Sequence, residues 1–321
     1  MATRDERPSV VAVIVSFNRR DLLLESVAAV LGQSEPPVAL VVVDNASEDG
    51  SADAVRTRFP NIDLVPLTRN VGGAGGFAVG LAHAITRYDA TWVWAMDDDT
   101  IPTPTALAEL MAGVGRDESV ALAGSRVVWT DGQNHPMNTP RADPFADRRK
   151  RASASDAGAI PVRSSSFVSM LVRADAVLAE GLPVADYFIW NDDFEFSCRI
   201  LRRRTGWLLP GSVVVHKTAR LGSTDLDPGP RFYFEVRNKI WLFTRSDCLG
   251  PGEKVVYGVS TLLRWGRTIA RSADRRLLFD GLRRGVVAAR RRPRSNSEVL
   301  AGVGAGADAV DAFERRRSAR G

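Results

Sequence analysis

Residues 10 to 15 are an unbroken run of β-branched and small apolar side chains that stops at Ser16, Phe17 and Asn18. Apolar positions Leu22, Val27, Val30 and Leu31 then recur at helical spacing across residues 21 to 31. The unit repeats. Residues 38 to 43 are continuously apolar and close on Asp44, Asn45, Ala46 and Ser47; a helical stretch through Ala54 and Phe59 leads to a third strand over residues 62 to 67. The run Asn70-Val71-Gly72-Gly73-Ala74-Gly75-Gly76 precedes a helix over residues 77 to 88, and a fourth strand, residues 91 to 95, closes on Met96, Asp97, Asp98 and Asp99. Strands apolar on both faces predict an α/β fold, a mostly parallel sheet flanked by helices. Every polar motif so far follows a strand, which is where open α/β sheets bind ligands.

The next segments are less regular. A helix is expected over residues 104 to 114 and a strand over 120 to 128. Residues 130 to 159, polar and carrying Pro136, Pro140 and Pro144, read as a mobile loop. Structure resumes at residues 166 to 172, with a short helix from Ala174. Phe188, Ile189 and Trp190 then introduce Asn191-Asp192-Asp193-Phe194-Glu195 at the start of a helix running to Arg204. A strand over residues 212 to 215 ends in His216, and amphipathic helices follow at 231–243, 253–271, 274–289 and 298–313. Residues 9 to 245 are expected to form the main domain and residues 246 to 321 a C-terminal helical extension. No internal repeat is visible.

Composition fits this picture. The chain has 321 residues, 45% apolar and 25% charged, with 27 Gly and 17 Pro, which is globular usage. Cys198 and Cys248 form no framework and no zinc motif, so a reducing compartment is expected. The segment up to Pro8 is polar and lacks the apolar core of a secretory signal. No window reaches the ~18 to 20 apolar residues of a membrane span; the run at residues 255 to 263 soon meets Arg264 and Arg267.

Charge is uneven. Residues 231 to 321 hold 20 Lys and Arg against 9 Asp and Glu, a net of +11, and the remainder carries −6. A basic third attracts an anionic partner, either acidic lipid head groups or nucleic acid, though solvated tails explain it equally. The acidic remainder and the lack of any helix-turn-helix, RNA-recognition or zinc signature argue against nucleic acid. Trp241, Phe243, Leu262, Leu263 and Trp265, interleaved with Arg264, Arg267 and Arg271, suit either a membrane interface or packing on the main domain.

Three adjacent carboxylates, Asp97, Asp98 and Asp99, repel one another unless a cation compensates them, and hard oxygen ligands suit Mg²⁺ or Mn²⁺. Capping of the following helix is the plainer reading of Asp99 and Thr100. His216, at the end of its own strand, could complete the coordination of a borderline ion. Taken together, strand-Asp-Asn-Ala-Ser, Asn-x-Gly-Gly, strand-Asp-Asp-Asp, Asp-Asp-x-Glu and a later His resemble the family 2 glycosyltransferases of GT-A fold. The resemblance covers residues 9 to 245. Within that family the run from Asn70 to Phe77, Trp92-Val93-Trp94 and the segment Phe188 to Glu195 are most similar to actinobacterial galactofuranosyltransferases of galactan biosynthesis.

That resemblance implies inverting transfer of a sugar from a nucleotide-diphosphate donor, favoured as UDP-galactofuranose, to a polyprenyl-diphosphate-linked or polysaccharide acceptor. By position it makes Asp97, Asp99 and His216 metal ligands and Asp98 a ribose or phosphate neighbour. Ser16, Asp44, Asn70, Gly72 and Gly73 become donor contacts. For Asp44 an Asx turn is the equal alternative, and for the glycines a flexible turn. Asp193 is the implied catalytic base, at a helix N-terminus that favours its ionised form. Asp192 and Glu195 are implied acceptor or sugar partners and Trp190 a stacking surface, against the alternative that the acids only cap their helix. Asn191 departs from the galactofuranosyltransferase pattern, in which Trp directly precedes the two aspartates, so dTDP-rhamnose or another nucleotide sugar is the alternative donor. Arg231, Tyr233, Arg237, Asn238 and Lys239 could bind the diphosphate of a lipid-linked acceptor or be ordinary helix charges. A cytoplasmic protein, peripheral on the inner face of the membrane, is expected. The reading from another class is a silent, membrane-attached sugar-binding scaffold.

Overall fold

A computed structural model describes residues 8–136, 138–218 and 227–320. The polar N-terminal segment weighed above as a signal lies almost wholly outside them. The chain begins with the expected alternation: β1 (Val10–Ser16), α1 (Arg20–Leu31), β2 (Ala39–Asp44), α2 (Ser51–Arg58), β3 (Asp63–Pro66), α3 (Gly72–Arg87) and β4 (Trp92–Asp97). β5 (Thr100–Pro102), α4 (Ala106–Val114) and β6 (Val120–Val128) follow. Next come β7 (Arg141–Ala142), α5 (Arg148–Asp156), β8 (Ile160–Ser164), β9 (Met170–Arg173), α6 (Ala174–Glu180), α7 (Asp192–Leu201) and β10 (Thr205–His216). The C-terminal helices are α8 (Phe232–Thr244), α9 (Pro251–Arg271), α10 (Arg275–Ala289), α11 (Asn296–Leu300) and α12 (Ala305–Ser318).

One sheet runs in the order β3-β2-β1-β4-β9-β6-β10-β8-β7, with β5 beside β10. Its first four strands are parallel, as their two-sided apolar runs require. Beyond them the sheet is mixed, because β9 enters antiparallel between β4 and β6. Alternation along β1 shows how both faces are filled. Val11, Val13 and Val15 join one core with α3, and Ala12 and Ile14 join the other with α1 and α4.

Four elements differ from expectation. α3 starts at Gly72 rather than residue 77, although glycine is a poor helix former. Packing overrides propensity here: a β-carbon on Gly76 would sit 2.4 Å from Val15 Cγ1, so only glycine lets this helix lie on β1. The 130–159 segment is not all loop, since it holds β7 and α5, whose first turn is capped by the Asp147 carboxylate accepting from the Lys150 amide at 2.8 Å. β10 begins seven residues earlier than expected, because Pro210-Gly211 marks a bulge between Leu209 and Val213 rather than a strand start. The last expected helix is broken at Gly302 and Gly304 into α11 and α12.

Packing is continuous across the expected boundary at residue 245. Leu300, Val303, Val310 and Phe313 belong to the same core as Val13 and Phe77. Among the described residues no helix is long and apolar enough to cross a membrane.

Candidate active site

The strand ends converge through register. In the parallel ladders Val15 of β1 faces Asp97 of β4, and Ser16 faces Asp44 of β2. After Asp97 the chain reverses, and β5 pairs antiparallel with β10 so that Thr100 faces His216. This hairpin-like return brings a residue 117 positions away onto the aspartate turn: His216 Nε2 lies 3.0 Å from Asp99 Oδ1. One ligand atom each from Asp97, Asp99 and His216 all lie within 4.8 Å of one another.

Charge around that trio is incompletely balanced. Arg19, at the turn after β1, pairs with Asp99 and sits 3.4 Å from Asp98 Oδ1. The Phe17 amide donates to Asp98 Oδ2 at 3.1 Å. Burial, then the like charges of Asp99 and Asp98, push Asp97 well above the ordinary carboxylate value. Burial likewise takes Asp98 up to about 6, with Arg19 opposing it. Asp99 is also desolvated, yet hydrogen bonding from His216 and the charge of Arg19 hold it below its usual value. His216 Nδ1 is buried with no hydrogen-bond partner. A cluster of hard oxygens with one imidazole and a surplus of negative charge fits a divalent cation such as Mn²⁺ or Mg²⁺.

This trio lines a cavity of about 980 Å³ that the turn entering α7 also lines. Asp192 and Asp193 occupy the first turn of that helix. Burial and then Asp193 raise Asp192 to about 8. Burial also raises Asp193, opposed by the Phe194 amide, which donates to Oδ1 at 2.6 Å, by Ser166, and by the cations Arg141 and Lys239. Burial brings Lys239 itself down to about 8, with Glu235 opposing.

The turn ahead of these acids is strained. Phe188, Trp190 and Asn191 all have left-handed backbone, with φ of 63°, 69° and 64°. α8 holds it in place: Asn238 Nδ2 donates to the carbonyls of Tyr187, Ile189 and Trp190, each at 2.9 Å. Arg237 donates to the carbonyls of Asp186 and Tyr187 at 2.6 and 3.0 Å and is buried over Trp241. Both residues were weighed above as diphosphate binders, and both instead fix the turn. Arg231 and Lys239 do line the cavity.

The metal, donor, base and sugar residues that the resemblance implied all line this cavity except Asp44 and Glu195, and of the helix residues weighed for a diphosphate Tyr233, Arg237 and Asn238 do not. Asp44 forms the Asx turn, accepting from the Ser47 amide at 3.2 Å, and its other oxygen is buried without a partner. Its neighbour Asn45 reaches the cavity instead and ties β2 to α3, accepting from Val71 N at 2.8 Å and donating to Gly72 O at 3.0 Å. Glu195, expected to meet a sugar hydroxyl, points into the protein. It makes a two-pronged pair with Arg199 at 2.8 and 3.0 Å and accepts from Ser246 at 2.7 Å. Glu195 follows Asp193 by two residues, about half a helical turn, so its side chain leaves α7 on the other side from Asp193. Sequence reading missed Arg19, Asn45, Arg141 and Ser166. Arg19 directly follows Ser16-Phe17-Asn18 and could have been found there; Arg141 was hidden in the presumed loop.

Comparison with known proteins gives the family and the fold. The galactofuranosyltransferase GlfT1 of Mycolicibacterium smegmatis is 32% identical over 198 residues, 60% of this chain and 65% of the relative, so the match spans just under two thirds of that protein. An N-acetylglucosaminyl-diphospho-decaprenol L-rhamnosyltransferase of Mycobacterium tuberculosis is 25% identical over 245 residues, 67% of this chain and 78% of the relative. The crystal structure of Staphylococcus aureus TarS 1-349 superposes with a TM-score of 0.61 at 14% identity, covering 97% of this chain and 91% of that one. That likeness establishes the fold. The family model for glycosyl transferase family 2 matches residues 11–178, more than half of the sequence, and the chain belongs to that family.

Proposed function

We propose that the protein is an inverting glycosyltransferase that moves a sugar from a nucleotide-diphosphate donor to a lipid-linked or cell-wall polysaccharide acceptor. One observation carries the reading: Asp97, Asp99 and His216 gather in the same cavity that Asp193 lines. Asp97, Asp99 and His216 would hold Mn²⁺ or Mg²⁺, which supplies charge neutralisation for a departing nucleotide diphosphate. Asp98, Ser16, Asn70, Gly72 and Gly73 bind the donor. Asp193 takes the acceptor hydroxyl proton on the face opposite the leaving group, and its buried, cation-flanked carboxylate suits that task. Asp192 and Trp190 orient the sugar or acceptor, while Glu195 acts only by steadying α7. Residues 9 to 245 carry this chemistry, and residues 246 to 321 close the core and one side of the cavity.

The favoured donor is UDP-galactofuranose, supported by the galactofuranosyltransferase relative. Rhamnose from dTDP-rhamnose is the second reading, supported by the rhamnosyltransferase relative. The place of action proposed is the inner face of the cytoplasmic membrane. The deciding experiment supplies the full chain with Mn²⁺ and each nucleotide sugar in turn and follows nucleotide-diphosphate release. Acceptor-stimulated UDP release from UDP-galactofuranose by the wild type, with the stimulation lost in Asp193→Ala, supports the reading. Turnover of no donor, or equal transfer by wild type and Asp193→Ala, overturns it.

A further inference from the structure

α9 has two unlike faces. Its inner face lends Arg264, Trp265 and Thr268 to the cavity wall, where Arg264 and Trp265 meet the Glu235 carboxylate at 2.6 and 3.3 Å. Its outer face carries Val255, Val256, Val259, Leu262 and Leu263, each between 54% and 67% exposed. Their spacing gathers them into one stripe along the helix. Nothing among the described residues covers it, and an apolar stripe of this length left in water marks a contact surface.

Charge identifies what the stripe meets. Arg267 stands exposed at one edge of it, Arg271 lies nearer the inner face one heptad on from Arg264, and Arg275 and Arg276 follow at the start of α10; none of the four has a carboxylate partner in an ion pair among the described residues. On α10, Phe279 and Val287, at 58% and 53% exposure, sit among Arg276 and Arg290, neither in an ion pair among the described residues, and Arg283, which pairs with Asp280 at 3.1 Å. Apolar side chains edged by free guanidinium groups match the boundary between acyl chains and anionic head groups.

We propose that the outer face of α9 docks on an anionic phospholipid bilayer, with Val255, Val256, Val259, Leu262 and Leu263 entering the head-group boundary and the flanking Arg267 on lipid phosphates. The inner face of the same helix then sets the cavity beside the bilayer, within reach of an acceptor that carries a lipid tail. This deepens the membrane placement in the proposed function and rests on it only for the acceptor. Docking is read without any transfer, so the two fail separately.

The test is co-sedimentation of the full chain with vesicles of phosphatidylcholine alone or mixed equally with phosphatidylglycerol. Binding to the mixed vesicles, weakened by salt and absent from neutral ones, is expected. The double variant Leu262→Ser, Leu263→Ser should bind at least about tenfold more weakly, with an unchanged melting temperature and unchanged donor hydrolysis. Should the double variant melt early, Val255→Ser at the end of the stripe gives the same readout. Equal vesicle binding by folded variant and wild type overturns docking. So does light scattering in which the variant turns a dimer into a monomer, since a second copy of the chain would then cover the stripe.

Discussion

The carbonyl oxygen of Phe188 lies over Gly72, only 2.0 Å from where a β-carbon on that residue would stand. Gly72 also has φ of +74°, so the backbone there favours glycine twice over. The contact joins the start of α3 to the strained turn that delivers Asp192 and Asp193, and the Ala74 amide donates to the same carbonyl at 3.2 Å. A glycine first read as a donor contact is thus the seat of the turn that carries Asp193, the proposed base.

Gly72→Ala is therefore expected to cost about 1 to 3 kcal/mol of stability from backbone strain alone, and to lower turnover by displacing the turn. Gly73→Ala is the control, because a β-carbon there meets nothing within 4 Å. Thermal melts of the two variants check this: only the first should shift markedly.

If Asp193 is the base, Asp193→Asn should lower kcat by roughly 10²- to 10⁴-fold while donor KM stays nearly constant. Its pH dependence follows from the raised carboxyl. Protonated Asp193 cannot accept a proton, so kcat should climb as pH rises through a value above the ordinary carboxylate range. Arg141 favours the ionised form, so Arg141→Gln raises that value further and moves the acid limb of the kcat profile to higher pH. A limb that stays in place, or moves down, contradicts the assignment.

Glu195 and Arg199 should behave as structural residues. Their side chains are 4% and 14% exposed, and removing one partner strands the other charge inside the protein. Glu195→Leu is expected to destabilise by about 3 to 5 kcal/mol. Chemical denaturation measures this, and the donor KM of the folded fraction should be unchanged.

The reach of the sequence follows the range of the interactions involved. β1, β2, β4 and their closing motifs were legible because a buried parallel strand announces itself by unbroken apolar runs, and Asp97 to Asp99 follow one directly. The approach of His216 to Asp99 depends on the antiparallel pairing of β5 with β10, a contact 117 residues long in sequence that no local pattern reveals. The early start of α3 was masked because glycine signals a turn, whereas here it signals contact with Val15. Glu195 was misplaced because its spacing from Asp193 was read as a motif rather than as half a helical turn, and Arg237 because a buried arginine looks, in sequence, like any other cation.

The central claim is that Asp97, Asp99 and His216 form one cation site, and direct Mn²⁺ titration followed by electron paramagnetic resonance tests it without any assumption about the donor sugar. Wild type should bind one Mn²⁺ per chain at this site, and Asp99→Asn and His216→Ala should each weaken binding at least about tenfold. Unchanged Mn²⁺ affinity in both folded variants would contradict the claim.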